Sequence, residues 1–482
     1  MTPTAEQLAI VEFAKKSSQS LLVNAFAGAA KTTTLELITK AVTGIPILSL
    51  AFNKRIAEEM TTRLPGHVKC QTLNSLGHQV WAAATGRRLI INTKKSYELL
   101  KAEADDLSRA DKSDFFDNFP DLLKLISKAK LSGYIPEGKF PGSKPLVTLS
   151  EFIDSLDLDE PLPRSFIKII DSVLTASINL SYSGQIDFDD QIYMPTLFGG
   201  NFPKFPLVLV DEAQDLSPLN HAMLRKLVTK RLIAVGDPFQ SIYGFRGAVH
   251  NGMSQLKSTF EMEEKTLSIS FRCPIAVVKR ARFRAPTMQW GPNAEEGIVE
   301  TLDEFHASLI PDHAAIICRN NAPLFRCALN LIKQGRGVQL VGADIGPGLV
   351  KVLKKLGPSD MNLDQTMAAI LNWETETAKK NKKVGSVHDR AECLRVFAQA
   401  GGSLGGAVAF AEHLFQSKGP IQLLSGHKAK GLEWDVVYHL DPWRIPSPYV
   451  SSAEELDQEL NVRYVIETRA KKELYLVSGE IK

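Results

Sequence analysis

One short stretch, residues 24–33, constrains the fold of this chain more than any other. The apolar run 21–23 before it is typical of a short buried strand, and residues 34–38 after it are typical of the start of a helix. Small residues fill the loop between them, which ends in Lys31 and Thr32. Strand, small-residue loop and helix in this order predict a phosphate-binding P-loop, whose backbone N–H groups close around phosphate oxygens.

The P-loop interpretation gives each residue type a role. Lys31 is expected to reach the β- and γ-phosphates of a nucleotide, and the Thr32 hydroxyl is expected to hold Mg²⁺. The usual glycines at the two ends of the spacer are Ala25 and Ala30 here. Ala30 is harmless if its backbone is helical, but weakens nucleotide binding if its φ must be positive. The alternative is an ordinary turn with an exposed lysine. The residues expected around the nucleotide are Ala27, Gly28, Ala29, Ala30, Lys31, Thr32 and Thr33.

Composition places the chain among ordinary globular proteins. Its 482 residues predict two or more domains, and 44% hydrophobic and 23% charged residues are typical of a soluble fold. There is no apolar run of membrane-spanning length and no signal-peptide pattern, so a cytoplasmic or nucleoid-associated protein is expected. The five scattered cysteines indicate reduced thiols and no zinc site. Because the net charge is only +3, a polyanion-binding groove requires locally concentrated basic residues.

Short apolar strands alternate with helical patterns in two parts of the chain, which predicts an α/β protein with parallel sheets. A further sheet is predicted to begin near Leu267. Each sheet is expected to be interrupted by a mostly helical insertion. The other predicted strands cover residues 45–52, 207–210, 232–235, 314–318, 421–424, 436–438 and 474–476.

The two predicted insertions cover residues 89–180 and 346–414. The second contains a basic run at 379–383, and the pairs Gly401-Gly402 and Gly405-Gly406 are interpreted as loops. The first is rich in lysine, and a solvated helix face is the favoured interpretation for any single one. These lysines are Lys94, Lys95, Lys101, Lys124, Lys128 and Lys130.

Two carboxylates, Asp211 and Glu212, follow the predicted buried strand 207–210 directly. The carboxyl ends of strands are where an open α/β sheet binds ligands. Asp211 is therefore expected to complete the Mg²⁺ site opposite Thr32, and Glu212 to orient or deprotonate the attacking water. The alternative is an acidic helix N-cap, which accounts for only one of the two carboxylates.

Several blocks together resemble the UvrD/Rep/PcrA group of superfamily 1 DNA helicases. The most specific are residues 211–215 and 235–248, and the blocks occur in the order known for the group. The resemblance implies an α/β protein of two RecA-like parallel-sheet motor domains, each interrupted by a mostly helical insertion. The first motor domain would cover 1–88 and 181–265, with 89–180 inserted, and the second 266–345 and 415–482, with 346–414 inserted. The other matching blocks are 51–54, 72–75, 270–272, 427–435 and 464–471.

The resemblance also assigns roles to single residues at the nucleotide. Gln240 would sense the γ-phosphate, and Arg272 and Arg469 would act on it as arginine fingers, for which the permanent charge and planar fork of arginine are suited. The alternative for both arginines is surface salt bridging. The expected catalytic residues are Lys31, Glu212, Gln240, Arg272 and Arg469. The further nucleotide contacts are Gln7 at the adenine edge, Phe271 stacked on adenine and Glu433 near the ribose.

On the DNA side, the resemblance places three aromatic residues against bases of a single strand. Base stacking suits binding without sequence preference, because every base has a π-face. The alternative is that these aromatic residues belong to the core, which is most serious for Phe52 at a strand end. The residues expected at the DNA are Phe52, Asn53, Lys54, Asn74, Ser75, Tyr243, Phe245, Arg246 and His427.

Taken together, the resemblance implies an ATP- and Mg²⁺-dependent motor on single-stranded DNA and single-strand/duplex junctions, moving 3′→5′ and unwinding duplex. Replication, repair or recombination proteins are its expected partners, no membrane is involved, and a monomer or weak dimer is expected. One alternative is an ATP-driven remodeller that strips proteins from single strands and unwinds little, because the second insertion is short. The other is a nucleotide-dependent DNA-binding module that does not hydrolyse ATP, because Ala30 replaces a glycine.

Overall fold

The fold is that of a computed structural model, which describes most of the chain. The described residues are 2–51, 53–105, 109–156, 162–242, 251–303, 305–342, 345–380 and 384–479.

The strands are short and lie in two groups along the chain. They are β1 (Leu21–Ala25), β2 (Ile47–Ala51), β3 (Val68–Thr72), β4 (Ile90–Ile91), β5 (Gln185–Ile186), β6 (Phe205–Val210), β7 (Val228–Gly236), β8 (Glu263–Leu267), β9 (Ile269–Ser270), β10 (Gln289–Trp290), β11 (Ile298–Leu302), β12 (Ala315–Cys318), β13 (Val338–Leu340), β14 (Ile421–Ser425), β15 (Trp434–Leu440) and β16 (Ala470–Val477).

Helices connect the strands, and longer runs of helices lie within each group, between β4 and β5 and between β13 and β14. They are α1 (Ala5–Lys16), α2 (Lys31–Ala41), α3 (Lys54–Arg63), α4 (Leu73–Thr85), α5 (Lys95–Ala102), α6 (Arg109–Ser132), α7 (Leu149–Asp154), α8 (Arg164–Tyr182), α9 (Asp190–Phe198), α10 (Pro218–Leu227), α11 (Gly252–Thr259), α12 (Ile275–Ala281), α13 (Asn321–Lys333), α14 (Gly346–Leu356), α15 (Leu363–Lys380), α16 (Val384–Gly401), α17 (Leu404–Gln416), α18 (Gly426–Ala429) and α19 (Ala453–Glu467).

The first sheet has six parallel strands in the order β3-β2-β6-β7-β1-β8. Residues of its inner strands are buried almost throughout, as expected for a parallel sheet covered by helices on both faces. The strands β1 and β6 both end at the same edge of this sheet, because all of its strands are parallel. The loops after them therefore share the edge at which α/β sheets bind ligands.

The second sheet also has six parallel strands, in the order β11-β16-β15-β12-β14-β13. The core beside it includes apolar residues of β12 and α13 and of the helices α14 to α17. Two parallel six-stranded sheets with helical coverings confirm the predicted α/β class with two RecA-like domains.

The chain divides into two compact units. The first comprises Met1–Ala25 with Ala30–Leu267, and the second Phe26–Ala29 with Ser268–Lys482. The finer division of each motor domain into a sheet and an insertion stays a prediction. Among the described helices, none combines the length and apolarity needed to cross a membrane.

The first unit contains a buried charge cluster that the sequence analysis did not anticipate. The side chains of Lys95 and Lys130 are 1% and 0% exposed. Lys95 Nζ lies 2.6 Å from Asp190 Oδ2, and Lys130 Nζ lies 2.7 Å from Asp187 Oδ2 and 2.8 Å from Asp190 Oδ1. The solvated-face interpretation is therefore wrong for these two lysines, because each neutralises a carboxylate inside the protein.

The predicted start of the second sheet is wrong. Leu267 ends β8, which pairs with β1 at the edge of the first sheet, with Ala25 opposite Leu267. The second sheet begins later, at β11. The strand Glu263–Leu267 contains few apolar residues, which fits an edge strand whose outer side needs little burial.

The two glycine pairs do not both form loops. Gly405 and Gly406 lie in the first turn of α17, while Gly401 ends α16. A Cβ on Gly401 would lie 2.1 Å from the amide nitrogen of Ala407, and one on Gly406 would lie 2.1 Å from the carbonyl oxygen of Gly401. These glycines thus permit close approach of two helix ends.

Candidate nucleotide and DNA site

The loop between β1 and α2 contains a strained backbone position. Ala30, directly before α2, has φ 55° and ψ 46°, which is the left-handed region. An L-residue with a Cβ is disfavoured there by roughly 1–2 kcal/mol relative to a right-handed conformation. The position before Lys31, where glycine is usual, therefore has positive φ, and Ala30 is strained there. Gly28 in the same loop has φ 75°, which glycine adopts freely.

Lys31, the first residue of α2, forms an ion pair with the second of the two carboxylates after β6. Its Nζ lies 2.7 Å from Glu212 Oε1, and both side chains are mostly buried. Glu212 also has positive φ, at 52°. Backbone strain of this kind persists where the surroundings over-determine it, commonly at active sites. The structure therefore brings together two of the predicted catalytic residues.

The first carboxylate, Asp211, is only 5% exposed. Burial and the neighbouring negative charge of Glu212 raise the pKa of Asp211 to about 6, and the charge of Lys31 opposes this shift. Burial alone would lower the pKa of Lys31, but the charges of Glu212 and Asp211 outweigh it and the pKa is raised. Lys31 thus lies in the field of several carboxylates, of which Glu212 and Asp211 act on it most strongly.

A hydrogen-bonded chain leads from this cluster to the predicted γ-phosphate sensor. Gln214 Nε2 donates to Glu212 Oε2, and the backbone N–H of Asp237 donates to Gln214 Oε1 over 3.0 Å. Gln240 Nε2 in turn donates to Asp237 Oδ2 over 2.6 Å. A Cβ on Gly236 would lie 2.5 Å from Gln214 Oε1, so glycine is needed for this approach.

Gln214 and Asp237 are residues to which sequence reasoning gave no role. Both belong to the specific blocks 211–215 and 235–248, so the signal was present. Asp237 is fully buried, and burial raises its pKa to about 6 despite the charge of Lys31 and the hydrogen bond from Gln240. These two side chains connect the carboxylates after β6 to the segment after β7.

The oxygen donors at this edge of the sheet fit a magnesium ion. Mg²⁺ prefers carboxylate, hydroxyl and phosphate oxygens, and Asp211 and Thr32 supply the first two. Asp211 is suited to a cation because it is buried and lies beside the negative charge of Glu212. The role of both residues as ligands stays a prediction.

Gln7 is held entirely by neighbouring residues of the first unit. Its Oε1 accepts a hydrogen bond from the backbone of Thr4 over 3.0 Å, and its Nε2 donates to Thr34 Oγ1 over 3.0 Å. Thr4 is the N-cap of α1, and Gln7 completes a capping box. The structure thus gives Gln7 a role in joining α1 to α2, and its contact with adenine stays a prediction.

The predicted DNA-contacting residues of the first unit lie at the starts of two helices. Asn53 caps α3, because its Oδ1 accepts from the backbone N–H of Ile56 over 2.9 Å. Lys54 is exposed over 88% of its side chain, and Ser75 in α4 is also exposed. The predicted contacts that lie outside the described residues are Phe52, Tyr243, Phe245 and Arg246.

Asn74 connects this surface to an exposed aromatic residue that sequence reasoning missed. Its Nδ2 donates to the carbonyl oxygen of Phe188 over 2.8 Å and to Gln191 Oε1 over 3.1 Å. Phe188 is 57% exposed. A phenylalanine between aspartates, at Asp187 and Asp189, was the available signal. Asn74 therefore fixes the backbone of an aromatic side chain that faces solvent.

The second unit holds the two predicted arginine fingers in contacts of its own. Arg272 Nε lies 2.6 Å from Glu433 Oε2. Arg469 is 1% exposed, and it donates to the carbonyl oxygens of Val465, over 2.8 Å, and Leu432, over 3.2 Å. The salt-bridge alternative thus describes the present contact of Arg272, but not that of Arg469. Phe271 and His427 are both partly buried.

Two family models match the chain. Residues 4–261 match the UvrD/REP helicase N-terminal domain, and residues 408–480 match the UvrD-like helicase C-terminal domain. The first match alone covers more than half of the chain.

Curated proteins similar to the chain are named as DNA helicases. An F-box DNA helicase protein 1 of Schizosaccharomyces pombe is 25% identical over 98% of this chain and 57% of its own length. An F-box DNA helicase 1 of Gallus gallus is 24% identical over 97% of this chain and 48% of its own. An ATP-dependent DNA helicase Rep of Buchnera aphidicola is 28% identical over 44% of this chain and 34% of its own. The chain thus spans about half the length of the curated relatives that it matches over nearly its whole length.

Proposed function

Because this chain belongs to the UvrD/REP helicase family, we propose that it is an ATP-dependent translocase on single-stranded DNA that unwinds duplex. The 3′→5′ direction is proposed from the family resemblance alone. Single strands and single-strand/duplex junctions are the proposed substrates. Replication, repair or recombination proteins are the proposed partners, in the cytoplasm or at the nucleoid, with the chain acting as a monomer or weak dimer.

The observation that carries the proposal is the ion pair between Lys31 and Glu212 at the P-loop. A nucleotide phosphate competes for the ammonium of Lys31, because phosphate oxygens are strong acceptors for it. Once Lys31 turns to phosphate, its ion pair with Glu212 is broken, and Glu212 is proposed to orient or deprotonate the attacking water. The ion pair therefore keeps the proposed base occupied until nucleotide arrives.

Bound Mg²⁺ would neutralise charge on the β- and γ-phosphates. We propose that Thr32 and Asp211 hold it, with the negative charge of Glu212 beside Asp211 favouring the ion. The nucleotide contacts proposed for Gln7, Phe271, Glu433 and residues 27–33 are those of the family pattern.

Gln240 is proposed to report phosphate occupancy along the chain of hydrogen bonds through Asp237 and Gln214 to Glu212. Arg272 and Arg469 are proposed to stabilise negative charge on the γ-phosphate in the transition state. Arg272 must leave Glu433 to do so. Their contribution is therefore expected in the turnover number rather than in nucleotide affinity.

We propose that single-stranded DNA contacts the first unit near the starts of α3 and α4. Asn53, Lys54 and Ser75 would bind the backbone, as phosphate contacts position DNA without reading its sequence. Phe188 adds an exposed face for base stacking, and Asn74 fixes its backbone. Other proposed DNA contacts, on the resemblance alone, are Phe52, Tyr243, Phe245, Arg246 and His427.

A second candidate function keeps the ATPase but changes its output. The helices α14 to α17 are the short predicted second insertion, at 346–414. Its small size favours a motor that strips proteins from single strands and unwinds little. An assay with protein-coated single strands and a duplex substrate of equal length separates the two candidates. Release of the coating protein without strand separation would favour stripping.

The test of the proposed function is ATP hydrolysis with and without single-stranded DNA. We expect strong stimulation by DNA, and its loss by a factor of about 10² or more in Lys31→Ala and Glu212→Gln. Lys15→Ala, at an exposed lysine of α1, is the control for a change of surface charge. Absence of hydrolysis in the unaltered chain would favour the alternative of a DNA-binding module, with the strain at Ala30 as its cause.

A further inference from the structure

A buried carboxylate that contacts two arginines and lies near a histidine ends helix α19. The side chain of Glu467 is 0% exposed. Arg280 donates to it with two nitrogen atoms, from Nε to Oε2 over 3.0 Å and from Nη2 to Oε1 over 2.9 Å. Arg463, one turn earlier in α19, donates to Oε1 over 3.0 Å, and His439 Nδ1 lies 3.5 Å from the same oxygen.

A second set of contacts joins the same two chain segments. Arg284 follows α12 by three residues. Its Nε donates to Asn461 Oδ1 over 2.8 Å, and its Nη1 lies 3.2 Å from Asp457 Oδ1. Asn461 and Asp457 both belong to α19. The segment 275–284 is thus tied to α19 at two levels along the helix.

These tied segments carry the two arginines of the second unit. Arg272 precedes α12 by three residues, and Arg469 follows α19 by two. The residues next to the two arginines also contact each other: Cys273, which follows Arg272, donates from Sγ to the carbonyl oxygen of Thr468, which precedes Arg469, over 3.6 Å. Fixing α12 against α19 therefore fixes the separation of the two arginine-bearing backbones.

We infer that Glu467, with Arg280 and Arg463, is a positioning residue that sets Arg272 and Arg469 at the separation needed to act on one phosphate group. The inference rests on the proposed ATPase function. It goes beyond that function because it assigns a catalytic consequence to charged residues that contact neither nucleotide nor DNA in the proposal.

Stability alone is a poor explanation for this cluster. Removing charges from water offsets much of their attraction, so a buried ion pair is often no more stabilising than apolar residues of similar volume. A paired bidentate arginine, by contrast, fixes the orientation of both partners. Fixed geometry is what two arginines acting on one phosphate require, because a displacement of about 1 Å can lower a rate about 10²-fold.

The chain offers a matched control on the same helix. Arg319 donates hydrogen bonds from two of its nitrogen atoms to Glu459 of α19, over 2.9 and 2.6 Å. The side chains of Arg319 and Arg280 are each 25% exposed, and Glu459 is 9% exposed. This second pair has the same chemistry, but it joins α19 to the end of β12. It does not join α19 to segment 275–284, which follows Arg272.

The experiment compares Glu467→Gln and Arg280→Lys with Glu459→Gln and Arg319→Lys in the full chain. We measure kcat and KM for ATP with saturating oligo-dT, the thermal midpoint, and hydrogen exchange of the backbone amides of Thr468 and Arg469. Lysine keeps the charge but loses the two-point contact. Arg280→Lys also keeps the test open if Glu467→Gln fails to fold.

We expect the first pair of variants to lower kcat about tenfold or more with KM changed less than about threefold, and to speed exchange at residues 468 and 469. The control variants are expected to lower the thermal midpoint similarly, with kcat within about twofold of the unaltered chain. In an Arg469→Ala background, Glu467→Gln should lower kcat much less than it does alone, because it acts through that arginine.

Unchanged kcat and exchange in Glu467→Gln and Arg280→Lys would overturn the inference, as would equal losses of kcat in the control variants. If the unaltered chain hydrolyses no ATP, the proposed function fails instead. The exchange measurement then still decides whether the cluster orders residues 468 and 469.

Discussion

Two buried carboxylate sites, one in each unit, differ in the direction of their pKa shifts. In the first, Asp211 and Asp237 have pKa values raised to about 6, mainly by burial, with Lys31 as a shared cation. In the second, burial would also raise the pKa of Glu467, but His439 and Arg280 outweigh it and lower the pKa to about 2. The carboxylates Asp211 and Asp237 therefore have raised pKa values, which a bound cation would lower. The second unit has an acid already neutralised, which serves to hold geometry.

The largest expected effect tests whether the second unit supplies catalytic charge. Arg469→Ala should lower kcat about 10³-fold, which is the lower end of what arginine fingers contribute. ADP affinity should stay nearly constant, because the arginine acts on a group that ADP lacks. Steady-state ATPase and equilibrium binding of a fluorescent ADP measure the two quantities. A loss of kcat below about tenfold would contradict the role, and Arg469→Lys shows whether charge without the fork suffices.

The neutralised acid of the second unit predicts a pH-dependent stability. Because the folded-state pKa of Glu467 is about 2, below its ordinary 4.5, its stabilisation is present above about pH 4.5 and is lost as pH falls towards 2. The free energy of unfolding should fall by about 2 kcal/mol from this group between about pH 6 and pH 3.

Urea unfolding followed by tryptophan fluorescence measures this in the second unit, since only Trp81 of the five tryptophans lies in the first. Glu467→Gln should flatten the pH dependence. An equal pH dependence in the variant and the unaltered chain would show that other acids cause it.

The strained backbone at Ala30 predicts that a glycine at this position makes the protein more stable. Ala30→Gly relieves a left-handed alanine, and after the entropy lost to glycine in the unfolded chain about 1 kcal/mol should remain. Thermal unfolding measures the gain in stability. Binding of ADP measures the effect on nucleotide affinity, which should increase by up to about fivefold. Ala29→Gly is the matched control, because Ala29 is not among the described residues with positive φ. A gain in Ala29→Gly and none in Ala30→Gly would contradict the explanation.

The smallest expected effect concerns the raised pKa of Asp211. Its pKa of about 6 means that protons compete with a divalent ion as the pH falls through that value. Mn²⁺ binding in the presence of ADP, measured by electron paramagnetic resonance, should weaken about fourfold between about pH 7.5 and pH 5.5. Asp211→Asn should bind weakly at both values. A pH-independent affinity in the unaltered chain would exclude Asp211 as a ligand.

Local patterns were sufficient for much of this protein. The strand before the loop and the carboxylates after β6 lie where adjacent residues predicted them, while α2 begins at Lys31, before its predicted start at residue 34. Each depends on residues within a few positions, so the sequence contains the whole signal. The sequence placed Lys31 and Glu212 in the same nucleotide site, but it did not predict that they form an ion pair.

Features that depend on distant residues were not predictable in this way. Lys130 is buried because Asp187 and Asp190 meet it, and these lie more than fifty residues further along the chain. The conformation of Ala30 depends on the loop that surrounds it and not on its own side chain. The contact of Glu467 depends on Arg280, which lies 187 residues earlier in the chain.

The lysine cluster of the first unit also bears on protein engineering. Lys95 and Lys130 lie within the segment 89–180, whereas Asp187 and Asp190 lie beyond its end. Excising that segment, or grafting it onto a related motor, would separate the two signs of charge and leave two acids sealed in an apolar interior without counterions. The boundary of any truncation or domain exchange should therefore lie after residue 190. Segment 89–180 should be kept or removed together with Asp187 and Asp190.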